Sequence, residues 1–321
     1  MLVGGTMMIG AGGATPVFAA AGQNCDPGTS PDGAVWTTYA GTPLASVKIG
    51  CIAWNGTTWV AMRSGGAYGN CYTSPDGVTW TSQNIPISFN CYGICWNGSI
   101  FVAVGGGDGT QCVTSPDGVT WTAHDMPQAN WYGVAWNGSV FAACCDNPAN
   151  GKYIATSPDG ITWTSRSTTM NAATDIAWNG TVFCIVYPNS SYSATSTDGI
   201  SWTRHDTAFP GNDGPKTLCW NGTIFCGAEQ SAKPADGTRR AHTSPDGATW
   251  TTRTMPDGYI GQQIYDIAWN GSVFCQGSSA NGGHGAATTS PDGTTWTDHV
   301  GVFNGNTIFA LGTQELIFGT Y

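Results

Sequence analysis

The side chains that could perform hydrolytic chemistry are few and scattered along the chain. Glycoside hydrolysis normally uses a pair of carboxylates, and the 321-residue sequence contains only two glutamates, Glu229 and Glu315. Asp146 and Asp206 lie in segments that vary between repeats, but nothing in the sequence pairs them. We therefore predict no catalytic residues and a protein that is not an enzyme.

Potential metal ligands are not clustered either. Structural zinc needs closely spaced Cys or His ligands, whereas the five histidines are dispersed and no Cys-x-x-Cys motif occurs. Cys144 and Cys145 are adjacent, so on a strand they point to opposite faces. The segments 105–109 and 212–214 could offer oxygen ligands to calcium, but their glycines favour plain turns. We expect neither a metal nor any other cofactor.

Composition limits the kinds of partner. Lys and Arg number 10 against 20 Asp and Glu, which gives a net charge of −10. Phosphate binding requires clustered basic residues, and Arg239-Arg240 is the sole basic pair, so no nucleic-acid partner is expected. No apolar run approaches the ~18 residues of a spanning helix, so no membrane insertion is expected. The apolar N-terminus lacks the basic region of a signal peptide and is predicted to belong to the fold.

Most of the 12 cysteines are predicted to act as small apolar residues. Cys95 and Cys219, for example, precede a repeated Trp where other repeats have Ala, and a residue that exchanges with Ala is filling space. We expect mainly free, buried thiols and assembly in a reducing cytosol. One or two bridges remain open among the cysteines outside this pattern, which are Cys25, Cys51, Cys71, Cys91 and Cys112.

The elements that must position any site are internal repeats. The motif Ser-Pro-Asp-Gly-x-Thr-Trp, or a near variant, begins at Ser30, Ser74, Ser115, Ser157, Ser196, Ser244 and Ser290. A Trp-Asn-Gly motif alternates with it, at Trp54, Trp96, Trp136, Trp178, Trp220 and Trp269, with Phe-Asn-Gly at Phe303 and a weaker Val-Gly-Gly at Val3. The period of roughly 40–45 residues is typical of stacked supersecondary units.

Each repeat predicts two hairpins. Asn-Gly between apolar runs favours a type I′ turn with positive φ at both central residues, and Pro-Asp-Gly favours a second tight turn. Four antiparallel strands per repeat of this length are typical of a β-propeller blade. We predict an all-β fold and a single propeller domain over 1–321, most simply with seven blades and closed by pairing of the N- and C-terminal segments. Residues 1–20 would then form an extra hairpin or lid, and counting the Val3 copy would give eight blades instead.

The Ser-Pro-Asp-Gly-x-Thr-Trp motif resembles the Asp-box, or bacterial neuraminidase repeat, with one residue fewer between Asp and Trp. The resemblance covers nearly the whole chain and implies that Ser and Asp bond turn amides while Trp packs between blades. It implies structural roles for Asp32, Asp76, Asp117, Asp159, Asp198, Asp246 and Asp292. A sialidase would need an arginine triad and a Tyr assisted by Glu, and the six arginines include no recognisable triad motif.

The two near-constant turns of each repeat should lie on one face of a propeller and the variable segments on the other. Function usually depends on variable loops carried by a rigid scaffold, so we place a binding site on the variable face. Tyr92, Tyr132 and Tyr265 share one register, four residues before the repeated Trp, although packing under loops would also explain them. The predicted binding residues are Tyr92, Trp131, Tyr132, Tyr265, Arg63, Tyr68, Tyr187, Arg204, His205 and Tyr259.

Near-identical repeats, a charged fraction of only 9% and free thiols resemble virion components of tailed phages, such as tail, baseplate or accessory capsid proteins. The resemblance implies a non-enzymatic module in the virion that docks to other virion proteins or to host glycans through the variable face. A free carbohydrate-binding lectin is the alternative function, with secretion as the alternative location. A sialidase-like glycoside hydrolase is a third.

Overall fold

The computed structural model of the protein describes most of the chain. The described residues are 17–65, 69–107, 111–127, 129–145, 153–166, 172–188, 190–207, 209–229, 238–256, 264–278, 285–303 and 305–313. The repeat copy at Val3 lies outside them. The described part contains one short 3-10 helix, Pro210–Asn212, and no helix there has the length and apolar character to cross a membrane.

Within these residues, the strands form seven antiparallel four-stranded sheets, which we call blades. Blade 1 contains β1 (Phe18–Cys25), β2 (Gly28–Ser30), β3 (Thr37–Thr38) and β28 (Gly305–Thr313); blade 2 contains β4 (Ile49–Trp54), β5 (Trp59–Arg63), β6 (Asn70–Ser74) and β7 (Thr81–Asn84); blade 3 contains β8 (Phe89–Trp96), β9 (Phe101–Gly107), β10 (Gln111–Ser115) and β11 (Thr122–Asp125). Blade 4 contains β12 (Trp131–Trp136), β13 (Phe141–Cys145), β14 (Ile154–Ser157) and β15 (Thr164–Arg166); blade 5 contains β16 (Asp175–Trp178), β17 (Phe183–Val186), β18 (Tyr192–Ser196) and β19 (Thr203–Asp206). Blade 6 contains β20 (Pro215–Trp220), β21 (Phe225–Glu229), β22 (Arg240–Ser244) and β23 (Thr251–Thr254); blade 7 contains β24 (Ile264–Trp269), β25 (Phe274–Ser278), β26 (Gly285–Ser290) and β27 (Thr297–Phe303).

The blades form a closed ring. The innermost strand of each blade contacts the innermost strands of both neighbouring blades, in the order β28, β4, β8, β12, β16, β20, β24 and back to β28. The prediction of an all-β propeller with seven blades is therefore confirmed, and the alternative of eight blades is wrong.

Blade 1 holds the two ends of the ring together. The N-terminal part of the chain supplies β1, β2 and β3, and β28 pairs with β1 from Phe18–Thr313 to Cys25–Gly305. The prediction that residues 1–20 form an extra hairpin or lid is wrong at its C-terminal end, because Phe18 begins a blade strand. The Phe-Asn-Gly copy also differs from its relatives: Phe303 ends the last strand of blade 7 and Gly305 begins blade 1, so this copy joins two blades.

The Asn-Gly turn is not the type I′ turn that the sequence predicts. In blade 2, four residues separate β4 from β5, and among non-glycine residues of the described chain only Asn212 has positive φ. The Asn55 side-chain Oδ1 accepts the amides of Thr57 and Thr58 at 3.0 and 2.7 Å. Because an Asx side chain can satisfy these amides itself, the loop widens to four residues, and only Gly56 takes a left-handed conformation.

The Ser-Pro-Asp-Gly turn is held by its own side chains. In blade 3, the Ser115 hydroxyl accepts the Gly118 amide at 2.8 Å, and Asp117 Oδ1 accepts the amides of Val119 and Thr120, both at 2.8 Å. The Trp121 indole donates to the Gly118 carbonyl at 2.9 Å. Partial burial raises the pKa of Asp117, but the Thr120 and Val119 amides outweigh it and hold this pKa below its usual value. The aspartate therefore works as a fixed hydrogen-bond acceptor.

Both turns leave the blade at the same edge. In blade 2, Trp54 is the register partner of Trp59, and Trp59 is the register partner of Ser74. The Asn-Gly turn follows Trp54 and the Ser-Pro-Asp-Gly turn begins at Ser74, so the near-constant turns share one face of the disc, which we call the turn face. The variable connections leave from the opposite face, the variable face.

The hydrophobic core lies between the blades. Trp121 of blade 3, for example, packs in one cluster with Val60 and Met62 of blade 2 and with Phe101 of its own blade. Eleven of the twelve cysteines have side chains that the structure describes; all eleven are free and nine are buried, so the prediction of free, buried thiols is confirmed for most of them. The inter-blade apolar contacts make each blade depend on its neighbours.

Candidate functional site

A cavity of about 430 Å³ lies on the axis of the ring. All seven blades contribute to its wall, mostly with residues at the start of their innermost strands. Because the Asn-Gly turn follows the end of these strands in blades 2 to 7, the cavity lies toward the variable face. An axial pocket of this size with several polar groups in its wall is suited to holding part of a ligand.

A recurring β-bulge places one residue of five inner strands at the cavity. The register of the inner strand shifts at Gly50 in blade 2, Tyr92 in blade 3, Tyr132 in blade 4, Lys216 in blade 6 and Tyr265 in blade 7. All five residues line the cavity. A bulge leaves one residue without a ladder partner and redirects its side chain, so this position is free to vary while the strand pairing is kept.

The tyrosines and one lysine form two aromatic contacts at this level. The rings of Tyr92 and Tyr132 are stacked, with centroids 4.9 Å apart and planes 16° apart. The Lys216 ammonium lies 5.1 Å from the centre of the Tyr265 ring, within the range of a cation–π interaction. The cavity therefore combines apolar ring faces, hydroxyl groups and positive charge.

Two aspartates brace neighbouring inner strands in the same way. Asp175 Oδ1 accepts the Ile176 amide at 2.8 Å and its Oδ2 accepts the Leu218 amide of blade 6 at 2.7 Å. Asp266 repeats this arrangement, with its Oδ2 accepting the Leu311 amide of blade 1 at 2.9 Å. Each carboxylate thus fixes the spacing of two blades beside the cavity.

Burial makes these carboxylates unusually basic. Burial, followed by the negative charge of Asp266, raises the pKa of Asp175 to about 7. Burial raises the pKa of Asp266 to about 7 as well, against the opposing effects of the Leu311 amide and Lys216. Near neutral pH, both groups therefore change charge easily.

The backbone of blade 3 lies very close to the backbones of its neighbours, blades 2 and 4. A Cβ atom added to Gly93 would lie 2.7 Å from the Tyr132 carbonyl oxygen, so a side chain would not fit there. On the other side of this strand, Cys51 Sγ and Cys91 Sγ are 2.9 Å apart. Burial, then the hydrogen bond and charge of Cys91, raise the pKa of the Cys51 thiol well above its usual value, so Cys51 fills space as a neutral thiol.

The structure separates the predicted binding residues into distinct groups. Tyr92, Tyr132 and Tyr265 line the cavity. Trp131 and Tyr187 are each 1% exposed in the hydrophobic core and are not in its wall.

The remaining predicted residues lie elsewhere. Arg204 and His205 lie on the outermost strand of blade 5; Arg204 pairs with Asp206 at 2.8 Å, and His205 bonds the Thr195 hydroxyl at 2.8 Å. Arg63 ends β5 at the variable face, outside the cavity wall. Tyr68 and Tyr259 lie outside the described residues.

Sequence reasoning missed four charged residues of the cavity: Lys48, Asp175, Lys216 and Asp266. A signal for three of them was present: Asp175 stands three residues before Trp178, as Asp266 does before Trp269. Lys216 stands four residues before Trp220, in the register of the tyrosines, and Asp266 directly follows Tyr265. Aligning every repeat on its Trp, rather than searching for tyrosines alone, would have found them.

A second cluster of ionisable groups is buried inside blade 6. His242 lies 2.9 Å from Glu229 Oε1 and 3.3 Å from the Thr252 hydroxyl, and Arg240 lies 3.7 Å from the same glutamate. Burial, followed by the charge of Arg240, lowers the pKa of His242 to about 3. His242 is fully buried with Phe209 against its ring. As a neutral side chain of β22, it links Glu229 on β21 with Thr252 on β23.

The described residues contain no group of three or more His, Cys, Asp or Glu side chains that could hold a metal ion. Among the described residues, the axial cavity combines room for a ligand with apolar, polar and charged groups in its wall.

Comparison with known proteins gives the fold. No family model matches the sequence, and no curated protein matches it. Among solved structures, YCF48 bound to D1 peptide is 13% identical with a TM-score of 0.58, over 92% of this chain and 87% of that chain. Virginiamycin B lyase from Staphylococcus aureus is 9% identical with a TM-score of 0.62, over 78% and 83%. A nidogen/laminin complex is 8% identical with a TM-score of 0.52, over 96% of this chain and 100% of that chain. At such identities, these likenesses establish the propeller fold alone.

Proposed function

We propose that the protein is a non-catalytic binding module that receives a segment of a partner protein in its axial cavity. The observation that carries the proposal is the composition of the cavity wall, to which five blades contribute Lys48, Tyr92, Tyr132, Lys216 and Tyr265. Tyrosines supply large contact area together with a hydroxyl group. Their placement on bulges lets this chemistry vary without altering the scaffold.

The contrast between the two faces supports the variable face as the binding surface. The turn face carries nearly the same motifs in each blade, and their side chains are used in their own turn hydrogen bonds. The variable face carries a different connection in each blade, which is where binding residues are usually found on a rigid scaffold.

The similar structures support a protein partner by analogy. One is described as YCF48 bound to a D1 peptide, and another as a complex of nidogen with laminin. The similarity to a lyase is a reminder that a fold does not fix a function. One observation argues against catalysis. Both oxygens of Asp175 accept backbone amides, as do both oxygens of Asp266, so the two carboxyl groups are not arranged to act on a substrate as an acid–base pair.

The identity of the partner is the finer part of the proposal. We propose another virion protein of a tailed phage, which places the chain in the virion; near-identical repeats, low charge and free thiols support this. A host glycan bound by a virion-borne or secreted lectin is the competing ligand, since aromatic rings also suit sugars. Sedimentation of the chain with purified particles would support the virion location, and recovery only as a free protein would contradict it.

A display experiment tests the binding function. The wild-type protein is offered a library of random twelve-residue peptides displayed with free C-termini and, in parallel, a glycan array. We expect enriched peptides whose affinity falls roughly 30-fold in the Tyr92→Ala/Tyr132→Ala variant, as for a central interface contact. Tyr39→Ala, which alters a tyrosine bonded to Thr29 in blade 1, is the matched control and should bind normally. Glycan binding without peptide enrichment would favour the lectin, and enrichment unaffected by the double variant would refute the cavity as the site.

A further inference from the structure

We infer that the cavity recognises a carboxylate of its partner segment, held by Lys48 and Lys216; this inference rests on the proposed function. The starting observation is the distribution of charge. The chain has only four lysines and a net charge of −10, yet two of the four line one cavity. Half of the lysines of the chain therefore lie in one cavity, although the molecule as a whole is acidic.

Lys216 is held in a state that an anion would stabilise. Burial lowers its pKa, Asp266 opposes this effect, and the like charge of Lys48 lowers the pKa further. Among the described residues, the Lys216 ammonium has no ion pair within 4.0 Å and no hydrogen bond, and the face of Tyr265 is its nearest recorded partner. A partly buried cation of this kind gains from a carboxylate more than a solvated one does.

The aspartates of the cavity do not replace such an anion. Asp175 and Asp266 each use one oxygen for the next amide in their own strand and the other for an amide of the neighbouring blade. Their raised pKa values support the same conclusion, because a carboxyl that is partly protonated near pH 7 is a weak counter-ion. Lys216 thus lies in a cavity whose built-in carboxylates serve the backbone.

The rings define what accompanies the carboxylate. Tyr92 and Tyr132 form one stacked surface on blades 3 and 4, while Lys216 and Tyr265 lie on blades 6 and 7. The segment that fits is an acidic group beside an aromatic or apolar side chain. The carboxylate can come from an Asp or Glu side chain or from the C-terminus of the partner, and these two sources share the chemistry recognised here.

The test uses the peptides enriched from the random library, each resynthesised with a free or an amidated C-terminus. We expect Asp and Glu, or a free C-terminus, to be enriched beside an aromatic residue. Changing that Glu to Gln, that Asp to Asn, or amidating the terminus, should weaken binding to the wild-type protein roughly 10- to 100-fold, the usual range for one charge-assisted hydrogen bond. These arms identify the source of the carboxylate and need no protein variant.

Protein variants locate the interaction. Lys48→Met and Lys216→Met should each reduce affinity by a similar factor and abolish the difference between a Glu peptide and its Gln analogue. Lys216→Arg should retain most of that difference, and Arg204→Met, which removes a positive charge from the outer strand of blade 5, should leave it unchanged. Enriched peptides that show no acidic preference and lose no affinity on amidation of the C-terminus would overturn the carboxylate inference and leave the proposed function standing. No enriched peptide at all would overturn both.

Discussion

At the scale of single residues, the pKa of aspartate is shifted in opposite directions in two places: it is lowered in the Ser-Pro-Asp-Gly turns and raised beside the cavity. Asp117, like its counterparts in the other Ser-Pro-Asp-Gly turns, lies near solvent with its pKa lowered by the amides that it accepts, and it stays ionised. Asp175 and Asp266 also accept two amides each, but burial beside the axis outweighs those bonds. The difference comes from desolvation, which penalises only the charged form.

The buried aspartates predict how stability depends on pH. Their pKa is about 7 in the folded protein against 3.8 for an ordinary Asp, so between these values the folded state binds more protons than the unfolded state. Stability from this source is present at low pH and is lost as the pH rises through 7. We expect the midpoint of thermal unfolding to fall between about pH 6 and about pH 8. His242, with a folded pKa of about 3, has the opposite sign, but its effect fades above the ordinary His pKa near 6.5.

Calorimetry at matched ionic strength checks this prediction. Asp175→Asn and Asp266→Asn each remove one titrating group and should each reduce the pH slope of the midpoint by roughly half. The slope is the readout, because either variant also loses an amide acceptor and will unfold at a lower temperature. The other charged groups of the cavity, Lys48 and Lys216, are retained throughout. A midpoint that does not change over this range would contradict the proposed pKa values.

At the scale of elements, the sequence predicted which segments would be strands and turns but not their detailed geometry. Four strands per repeat, seven blades and the shared face of the two turns all follow from motif spacing, because the period counts the blades. The prediction of a type I′ turn was wrong because the Asn55 side chain accepts hydrogen bonds from two amides of its own loop. The bulges at Tyr92 and Lys216 were not predicted, because the alternation of residues along a strand does not reveal an inserted residue.

Two glycines separate the cost of backbone conformation from that of packing. Gly118 has a φ of 79°, and an added Cβ would lie 2.6 Å from Val60 Cγ2 in the neighbouring blade. Gly222 has a φ of 93° with nothing within 4 Å of an added Cβ. Both Ala variants pay for a left-handed conformation, but Gly118→Ala should lose a further ~1–3 kcal/mol through overpacking between blades. Urea unfolding of the two variants measures this difference, and equal losses would show that the turn does not pack against the next blade.

At the scale of the whole molecule, ring closure explains why the candidate site was only partly predictable. The cavity exists because seven inner strands meet around one axis, and its wall combines Lys48 with Leu311, residues at opposite ends of the sequence. The sequence identified the three tyrosines of the wall from their shared register. It did not distinguish them from Trp131 and Tyr187, which are buried in the core, because burial depends on the neighbouring blades.

The central claim is that a partner segment binds in the axial cavity, toward the variable face, and not at the turn face. A photoreactive benzoylphenylalanine is placed at Tyr92 in the cavity or at Val119, which is 47% exposed in a Ser-Pro-Asp-Gly turn, and each protein is irradiated with the highest-affinity selected peptide. We predict a covalent adduct from position 92 and none from position 119. An adduct from position 119 with none from position 92 would contradict recognition at the axial cavity.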